Sequence, residues 1–305
     1  MSQVVERADR WLFAPEPAGR IRAMRAAVAV LLLISLATGP YADLAGQPAA
    51  LFRPVWMLTW LDQMPSREAL IGLQVLGATA AALAILGWRE RGTFAVAWAS
   101  LLVLDGCWAS RGKVQHNLIP LLLVGAVLAC APTRLRWTDE RRAAAYGWPV
   151  RTSIVVVTGI YFLTGFQKVV SSGPAWVLSD NLRNVMYSAA LLGHAPTNTV
   201  SLHIADRPWL AHVVALVTIV VELGAVVALI RPSARVAYVM AVAVLHLGVY
   251  LTHGLNYSMW VGTAAVVLID WRPWLLRAIS ARTPGSADRA PHRSRPPGTP
   301  AAEHR

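Results

Sequence analysis

The sequence has few charged residues and almost no lysine. Only 14% of its 305 residues are Asp, Glu, Lys or Arg, whereas soluble domains contain about a quarter. Apolar residues make up 56% of the chain, and the mean hydropathy is +0.48. This composition argues against a water-soluble globular protein and favours one that is embedded in a membrane.

Several signatures of catalytic and nucleotide-binding sites are also missing. The chain has no Gly-rich phosphate loop, no H-E-x-x-H zinc motif and no G-x-S-x-G nucleophile motif. ATP-driven transport therefore has no support. Cys107 and Cys130 do not form a metal-type pair, and the topology below places them at opposite membrane faces. We predict two free thiols and no metal site.

The apolar residues fall in blocks long enough to cross a bilayer, which takes about 20 residues in a helix. We predict eight spans, at approximately 22–39, 69–87, 93–110, 116–132, 150–168, 210–230, 235–252 and 256–271. The predicted fold class is therefore all-α, a polytopic transmembrane helical bundle.

Three regions follow from these spans. Residues 1–21 form an N-terminal segment, and residues 22–271 form the transmembrane domain. Residues 272–305 are rich in Pro, Arg and small side chains, so we expect a disordered basic tail.

Arginine distribution predicts the orientation of the chain. Arginines precede the first span and then accumulate in alternate loops and in the tail. Because cytoplasmic loops are enriched in Lys and Arg, we predict a multi-pass cell-membrane protein with both termini in the cytoplasm. The net charge of +12 then faces lipid headgroups, so we expect membrane lipids rather than nucleic acid as partners. The oligomeric state is left open.

Lys113 and Lys168 are the only lysines among 28 basic residues. Arginine holds its proton throughout the working pH range, whereas an amine between apolar walls can become neutral and act as a base. Lys168, which closes the span at 150–168, is therefore a candidate general base. The alternative is that Lys168 reaches the headgroups as a helix-end anchor, and we expect that anchoring role for Lys113.

Other polar side chains lie at or near the same predicted outer boundary and can share one pocket with Lys168. They are Asp105, His116, His253 and Asn256. Glu222 and His246 fall inside spans, where ionisable groups usually face the bundle interior or a partner. The alternative for Glu222 is a structural hydrogen bond to a neighbouring helix. Residues 177–192 alternate apolar and polar faces at helical spacing and predict an amphipathic helix at the outer leaflet.

Residues 158–177, TGIYFLTGFQKVVSSGPAWV, contain the pattern Tyr-Phe-x-x-Gly-x-x-Lys, a spacer and Trp. This pattern resembles the membrane domain of vitamin K-dependent gamma-carboxylases and their bacterial relatives, the horizontally transferred transmembrane (HTTM) proteins. Further similar segments occur in the same order, over roughly residues 20 to 271. They are YADLAGQP with FRPVWML, LLVLDGCW with His116–Asn117 downstream, VELGAVVALI, and Leu245, His246, Asn256 and Trp260.

The resemblance implies a site where a lysine base deprotonates a reduced naphthoquinone and a histidine steadies the resulting oxyanion. By motif position these catalytic residues are Lys168 and His116. The supporting residues are Asp105, Asn117, Trp176, Glu222, His246, His253 and Asn256. Where the carboxylases have Lys-Lys, this chain has Gln167-Lys168.

Gamma-carboxylases also continue into a large lumenal part that binds the protein substrate, whereas this chain continues into a short basic tail. We therefore expect a smaller or lipid-borne substrate, and a carboxylase-like or quinol-oxidising activity. Two other readings stay open. One is a non-catalytic membrane scaffold, such as an immunity or export factor. The other is a small secondary transporter with Asp105, Glu222 and the histidines as a proton relay, although no inverted repeat supports it.

Overall fold

A computed structural model describes residues 3–112, 116–132 and 136–281, with side chains described up to Arg277. The structure is 77% helical with almost no strand, so the predicted all-α class is confirmed. The helices are α1 (Gln3–Leu12), α2 (Ala18–Thr38), α3 (Arg67–Leu86), α4 (Glu90–Ala109), α5 (Ile119–Cys130), α6 (Ala144–Ser172), α7 (Ala175–Leu178), α8 (Asn181–Leu191), α9 (Asn198–Ala205), α10 (Pro208–Leu223), α11 (Ala225–Ile230), α12 (Arg235–His253), α13 (Ser258–Leu268) and α14 (Arg272–Ala281). Short 3₁₀ helices cover Tyr41–Gly46, Ala49–Leu51, Trp56–Leu58 and Pro232–Ala234, and the strands are β1 (Glu16–Pro17) and β2 (Arg142–Ala143).

Within these residues, six helical segments are long and apolar enough to cross a membrane. They are Ala18–Thr38, Arg67–Leu86, Glu90–Ala109, Ala144–Ser172, Pro208–Ile230 and Pro232–His253. The predicted count of eight is not confirmed, because α5 and α13 have only 12 and 11 residues. At about 1.5 Å per residue they extend less than about 20 Å, short of a hydrocarbon core of about 30 Å.

The bundle has two ends that differ in charge. We call one the basic end, because it holds the arginine-bearing N-terminal turns of α2, α6 and α12. β1 and β2 join the starts of α2 and α6 there, with Pro17 opposite Arg142. We call the other the far end. It contains the end of α4, where the Ser110 carbonyl accepts a hydrogen bond from the Arg53 amide at 2.7 Å.

Arg25 fixes the basic end from inside. Its side chain is fully buried, and it donates to Glu90 of α4 at 2.8 Å. It also donates to the carbonyls of Leu128 and Ala131, which end α5. One guanidinium therefore satisfies a carboxylate and the last carbonyls of a neighbouring helix, which have no partner within their own helix.

The core surrounds α2, which packs against α3, α4, α5, α6 and α13. Leu32 and Leu36 of α2 are fully buried. Large apolar side chains elsewhere point outward, and Val75, Leu163 and Val244 are each more than half exposed. Many exposed apolar side chains on long apolar helices are typical of a membrane protein.

Helices α7, α8 and α9 cover the far end between α6 and α10. The hydroxyls of Thr197 and Ser201 donate to the carbonyls of Leu251 and Thr252 at the end of α12. Most of the helix predicted at 177–192 is present as α8, which buries Met186 on its inner face, but the prediction missed the break at residues 179–180 that separates α8 from α7. The position of α8 at a leaflet surface stays a prediction.

The C-terminal boundary differs from the prediction. Residues 272–281 form α14, whereas the sequence predicted that the disordered tail starts at 272. The helix forms because Trp274 and Leu275 line an apolar groove together with Met24 of α2. Residues 282–305 and Lys113 lie outside the described residues. Cys107 and Cys130 are free and lie at the C-terminal ends of α4 and α5, as predicted.

Candidate functional site

Lys168 and Glu222 form an ion pair between α6 and α10. The Lys168 Nζ lies 2.5 Å from the Glu222 Oε1, and the two side chains are 22% and 11% exposed. Gly165 permits this close approach, because a Cβ at that position would lie only 2.8 Å from the Glu222 Cβ. The spacing of about one helical turn between Gly165 and Lys168 puts both on the face of α6 that meets α10.

Trp176 covers the ammonium group of Lys168. Gly173 has a φ of +54°, a conformation that glycine adopts at no steric cost, and there the chain turns back from α6 into α7. This turn places the Trp176 ring centroid 5.1 Å from the Lys168 Nζ. The contact is a cation–π interaction, which strengthens when the cation is shielded from water.

Tyr161 and His246 form a second polar pair close to the first. The Tyr161 hydroxyl and the His246 Nε2 are 3.0 Å apart. Glu222 interacts electrostatically with Tyr161, and Lys168 does so with His246. The rings of Tyr238 and Trp260 meet the Tyr161 ring edge-on at 6.0 and 5.2 Å.

Three buried polar atoms in this region have no protein hydrogen-bond partner among the described residues. They are the Glu222 Oε2, the Tyr238 hydroxyl and the His246 Nδ1. A buried polar group without a partner costs about 1–3 kcal/mol, so such groups are rare in native structures. One of these atoms belongs to the ion pair and two lie close to it, which indicates a place where a proton, water or the polar groups of a substrate are bound. We call the set of Lys168, Glu222, Tyr161, His246, Tyr238 and Trp176 the Lys168 cluster.

A separate cavity of about 170 Å³ lies at the far end. Three of the predicted site residues line it, namely Asp105, Asn117 and Asn256. Ser35 and Trp108 also line it, and the Ser35 Oγ and Trp108 Nε1 are buried without a protein partner in the described chain. The cavity is thus polar and distinct from the Lys168 cluster.

The start of α13 separates the cavity from the Lys168 cluster. The Trp260 ring contacts Tyr161 and His246 on one side, and Ser258 and Met259 line the cavity on the other. The single pocket expected from the sequence is therefore divided into two sites, because α13 with its large Trp260 side chain lies between them.

Neither His116 nor His253 contacts Lys168 in the described part of the chain. The His116 side chain is exposed, and its carbonyl accepts a hydrogen bond from the Trp260 Nε1 at 2.7 Å. The His253 Nδ1 lies 2.6 Å from the Thr252 Oγ1. The structure therefore places His246, and not His116, beside the predicted base.

Tyr41 lies outside the membrane-spanning segments and lines the far-end cavity. Burial and the nearby Asp105 carboxylate raise the pKa of Tyr41. The charged phenolate is disfavoured by the loss of hydration. Tyr257, just before α13, has its ring centroid 5.1 Å from that of His246.

Sequence reasoning missed the tyrosines of the Lys168 cluster. Tyr161 belongs to the motif around Lys168 and lies seven residues before it, about two helical turns on the same face. That spacing could have identified Tyr161 as a site residue from the sequence. Tyr238 carried no comparable signal, because its position beside Glu222 depends on the packing of α12 against α6 and α10. Among the described residues, no three His, Cys, Asp or Glu side chains converge as a metal site requires.

Comparison with known proteins adds no relative. No family model, curated protein or solved structure matches the chain.

Proposed function

We propose that this protein is a membrane-embedded enzyme in which the Lys168–Glu222 pair transfers a proton to and from a hydroxyl group of a lipophilic substrate. We further propose that it belongs to the gamma-carboxylase-like HTTM proteins that its motifs resemble. The observation that carries the proposal is the shielded ion pair, in which the Glu222 Oε2 is unpartnered, with the unpartnered Tyr238 hydroxyl and His246 Nδ1 close to it.

A proton can move between the two groups of the ion pair over a very short distance. With Lys168 as ammonium and Glu222 as carboxylate, transfer of one proton from Nζ to Oε1 makes both groups neutral. Burial disfavours separated charges, so apolar surroundings narrow the free-energy gap between the charged and the neutral pair. The neutral amine then has a lone pair that accepts a proton from a substrate hydroxyl.

The residues present fit a reduced quinone, the cofactor class that the resemblance implies. Such a quinol, when bound, supplies an aromatic ring with ionisable hydroxyl groups and reducing equivalents. The Glu222 Oε2 can accept a hydrogen bond from a hydroxyl, and the Tyr238 hydroxyl and the His246 Nδ1 offer two further polar partners. The rings of Tyr257 and Trp260 meet edge to face at a centroid distance of 5.6 Å and together offer one apolar wall. A naphthoquinone is the class we propose.

The proposal includes eight crossings with both termini in the cytoplasm. Contacts at the ends of the short helices α5 and α13 support these two additional crossings. α5 ends beside Arg25 at the basic end, and the His116 carbonyl that precedes α5 lies beside Trp260. α13 carries that same Trp260 in its first turn, and Trp271, just after α13, lines a groove with Arg20 at the basic end. The arginine bias supports a cytoplasmic position for the basic end.

Extraction and turnover test this function together. Protein purified in mild detergent is extracted with organic solvent and assayed for bound quinone, and oxygen uptake is then measured after addition of reduced naphthoquinone. The proposal requires bound quinone in a stoichiometric amount relative to the protein. It also requires oxygen uptake that depends on quinol and saturates as the quinol concentration rises. Absence of both, in protein that unfolds cooperatively, would support the non-catalytic scaffold instead.

A specific observation also favours proton-coupled transport as a second function. His246 has one ring nitrogen bonded to Tyr161 and the other unpartnered, close to an ion pair at membrane depth. Chains of ionisable groups of this kind serve as proton relays. Asp105, which the sequence assigned to this relay, lines the far-end cavity instead. Proton uptake into proteoliposomes without added quinol would favour the relay.

A further inference from the structure

An apolar groove of about 410 Å³ opens at the basic end, between α2 and the segment from α13 to α14. One wall consists of Arg20, Met24 and Ala27, which recur at helical spacing along α2. The other wall includes Trp271 and Trp274. Tryptophan is enriched where a membrane meets water, so the groove combines an apolar interior with an interfacial rim.

Positive charge is in excess beside this groove. Arg20 and Arg151 share the carboxylate of Glu16, at 3.1 and 3.0 Å. Arg235 interacts electrostatically with all three of these residues. Three arginines thus face one glutamate, which leaves two positive charges, and Asp270 in the groove wall reduces this excess to one.

The arginines also have hydrogen-bonding capacity that the protein does not use. The Nε atoms of Arg151 and Arg272 are buried without a protein partner among the described residues. A guanidinium presents several N–H donors in a geometry that matches phosphate oxygens. Arg151 belongs to the charged cluster, and Arg272 directly follows Trp271 of the groove wall.

We propose that this groove binds one anionic phospholipid, with an acyl chain along α2 and the phosphate against Arg20 and its neighbouring arginines. The groove is the right place for a lipid because it joins membrane-spanning helices to an interfacial rim. The single excess positive charge matches a headgroup of charge −1, such as phosphatidylglycerol. Basic pockets between transmembrane helices are known to hold acidic headgroups in this manner. The site lies at the basic end and does not depend on the function proposed for the Lys168 cluster.

Native mass spectrometry tests this proposal. The full-length protein is reconstituted in nanodiscs of equal parts phosphatidylglycerol and phosphatidylcholine, released into detergent, and analysed for lipid that stays bound. We expect one retained phosphatidylglycerol per chain. Arg20→Gln should lower its retention about five-fold, the loss expected for one basic residue at an anionic headgroup. Arg277→Gln is the matched control, because Arg277 is an exposed arginine of α14 outside the groove.

A second variant separates lipid binding from folding. Ala27→Phe leaves every charge in place and fills the groove, so it should also lower lipid retention even if Arg20→Gln fails to fold. Equal retention of the two lipids by the wild type would overturn the proposal. So would wild-type retention in Ala27→Phe, or equal retention in folded Arg20→Gln and Arg277→Gln.

Discussion

Lys168 and Glu222 are 54 positions apart in the sequence, yet their Nζ and Oε1 atoms lie 2.5 Å apart between α6 and α10. The contact joins two helices that are separated by the whole far-end segment α7–α9. Among the described residues, neither Lys168 nor Glu222 forms an ion pair with any other side chain. Their behaviour is therefore coupled, in stability as well as in any proton transfer.

This coupling predicts a stability effect that depends on both residues. Lys168→Met leaves the Glu222 carboxylate without its cation, and removing one partner of a buried pair typically costs about 3–5 kcal/mol. Because Lys168 is partly exposed, we expect the lower part of that range. The double variant Lys168→Met with Glu222→Leu should recover most of the loss. Thermal unfolding in detergent measures all three proteins, and strictly additive losses would contradict the coupling.

The close contact at Gly165 predicts a second effect. Gly165→Ala places a methyl group 2.8 Å from the Glu222 Cβ and 3.2 Å from the Leu223 amide nitrogen. We expect destabilisation of about 1–3 kcal/mol through overpacking. Gly159→Ala is the control in the same helix, because nothing lies within 4 Å of its added Cβ. That change should be neutral or slightly stabilising, since alanine favours helix more than glycine. Similar unfolding temperatures for the two variants would show that α6 does not approach α10 as described.

Arg25 and Arg141 offer a comparison between a buried and an exposed ion pair. Arg25→Ala leaves Glu90 buried without its cation and frees the last carbonyls of α5, so we expect a loss of about 3–5 kcal/mol. Arg141 pairs with Asp139 but is 69% exposed, so Arg141→Ala should change the stability far less than Arg25→Ala does. Chemical denaturation of both variants in detergent measures this difference. Equal losses of stability in the two variants would contradict it.

The cysteines give a direct test of orientation. Cys130 is exposed at the end of α5, near the basic end, whereas Cys107 is buried in α4. With the basic end in the cytoplasm, a membrane-impermeant maleimide should label Cys130 in inside-out vesicles but not in intact cells. Ser172→Cys in a Cys130→Ser background should show the reverse pattern. Labelling of both positions from the same side would overturn the topology.

Hydropathy predicted the helical class and most of the long helices, because an apolar run of about 20 residues has few alternatives to a membrane-spanning helix. Hydropathy overestimated the lengths of the helices at 116–132 and 256–271. In the first, His116 and Asn117 precede the helix, and in the second, Asn256 lies in the turn before Ser258. These helix ends depend on tertiary contacts such as the Trp260 bond to the His116 carbonyl, which a window of hydropathy does not contain.

The candidate site was predictable only in part. Glu222 and His246 stood out because ionisable groups are costly at membrane depth, and Lys168 stood out by its rarity. Their assembly depends on which helices are neighbours. Hydropathy does not specify the pairing of α6 with α10 and α12, nor the position of α13 between Lys168 and Asp105.

Quinol-dependent oxygen uptake by Lys168→Arg tests directly whether Lys168 is the catalytic base. Arginine keeps the charge and can keep the ion pair with Glu222, but it does not release its proton. Gln167→Arg, at the exposed neighbouring position, is the control for an added guanidinium. If Lys168 is the base, Lys168→Arg should unfold at the wild-type temperature and lose about 10²–10⁴ in rate, while Gln167→Arg stays active. Full activity in Lys168→Arg would contradict the assignment of Lys168 as the base.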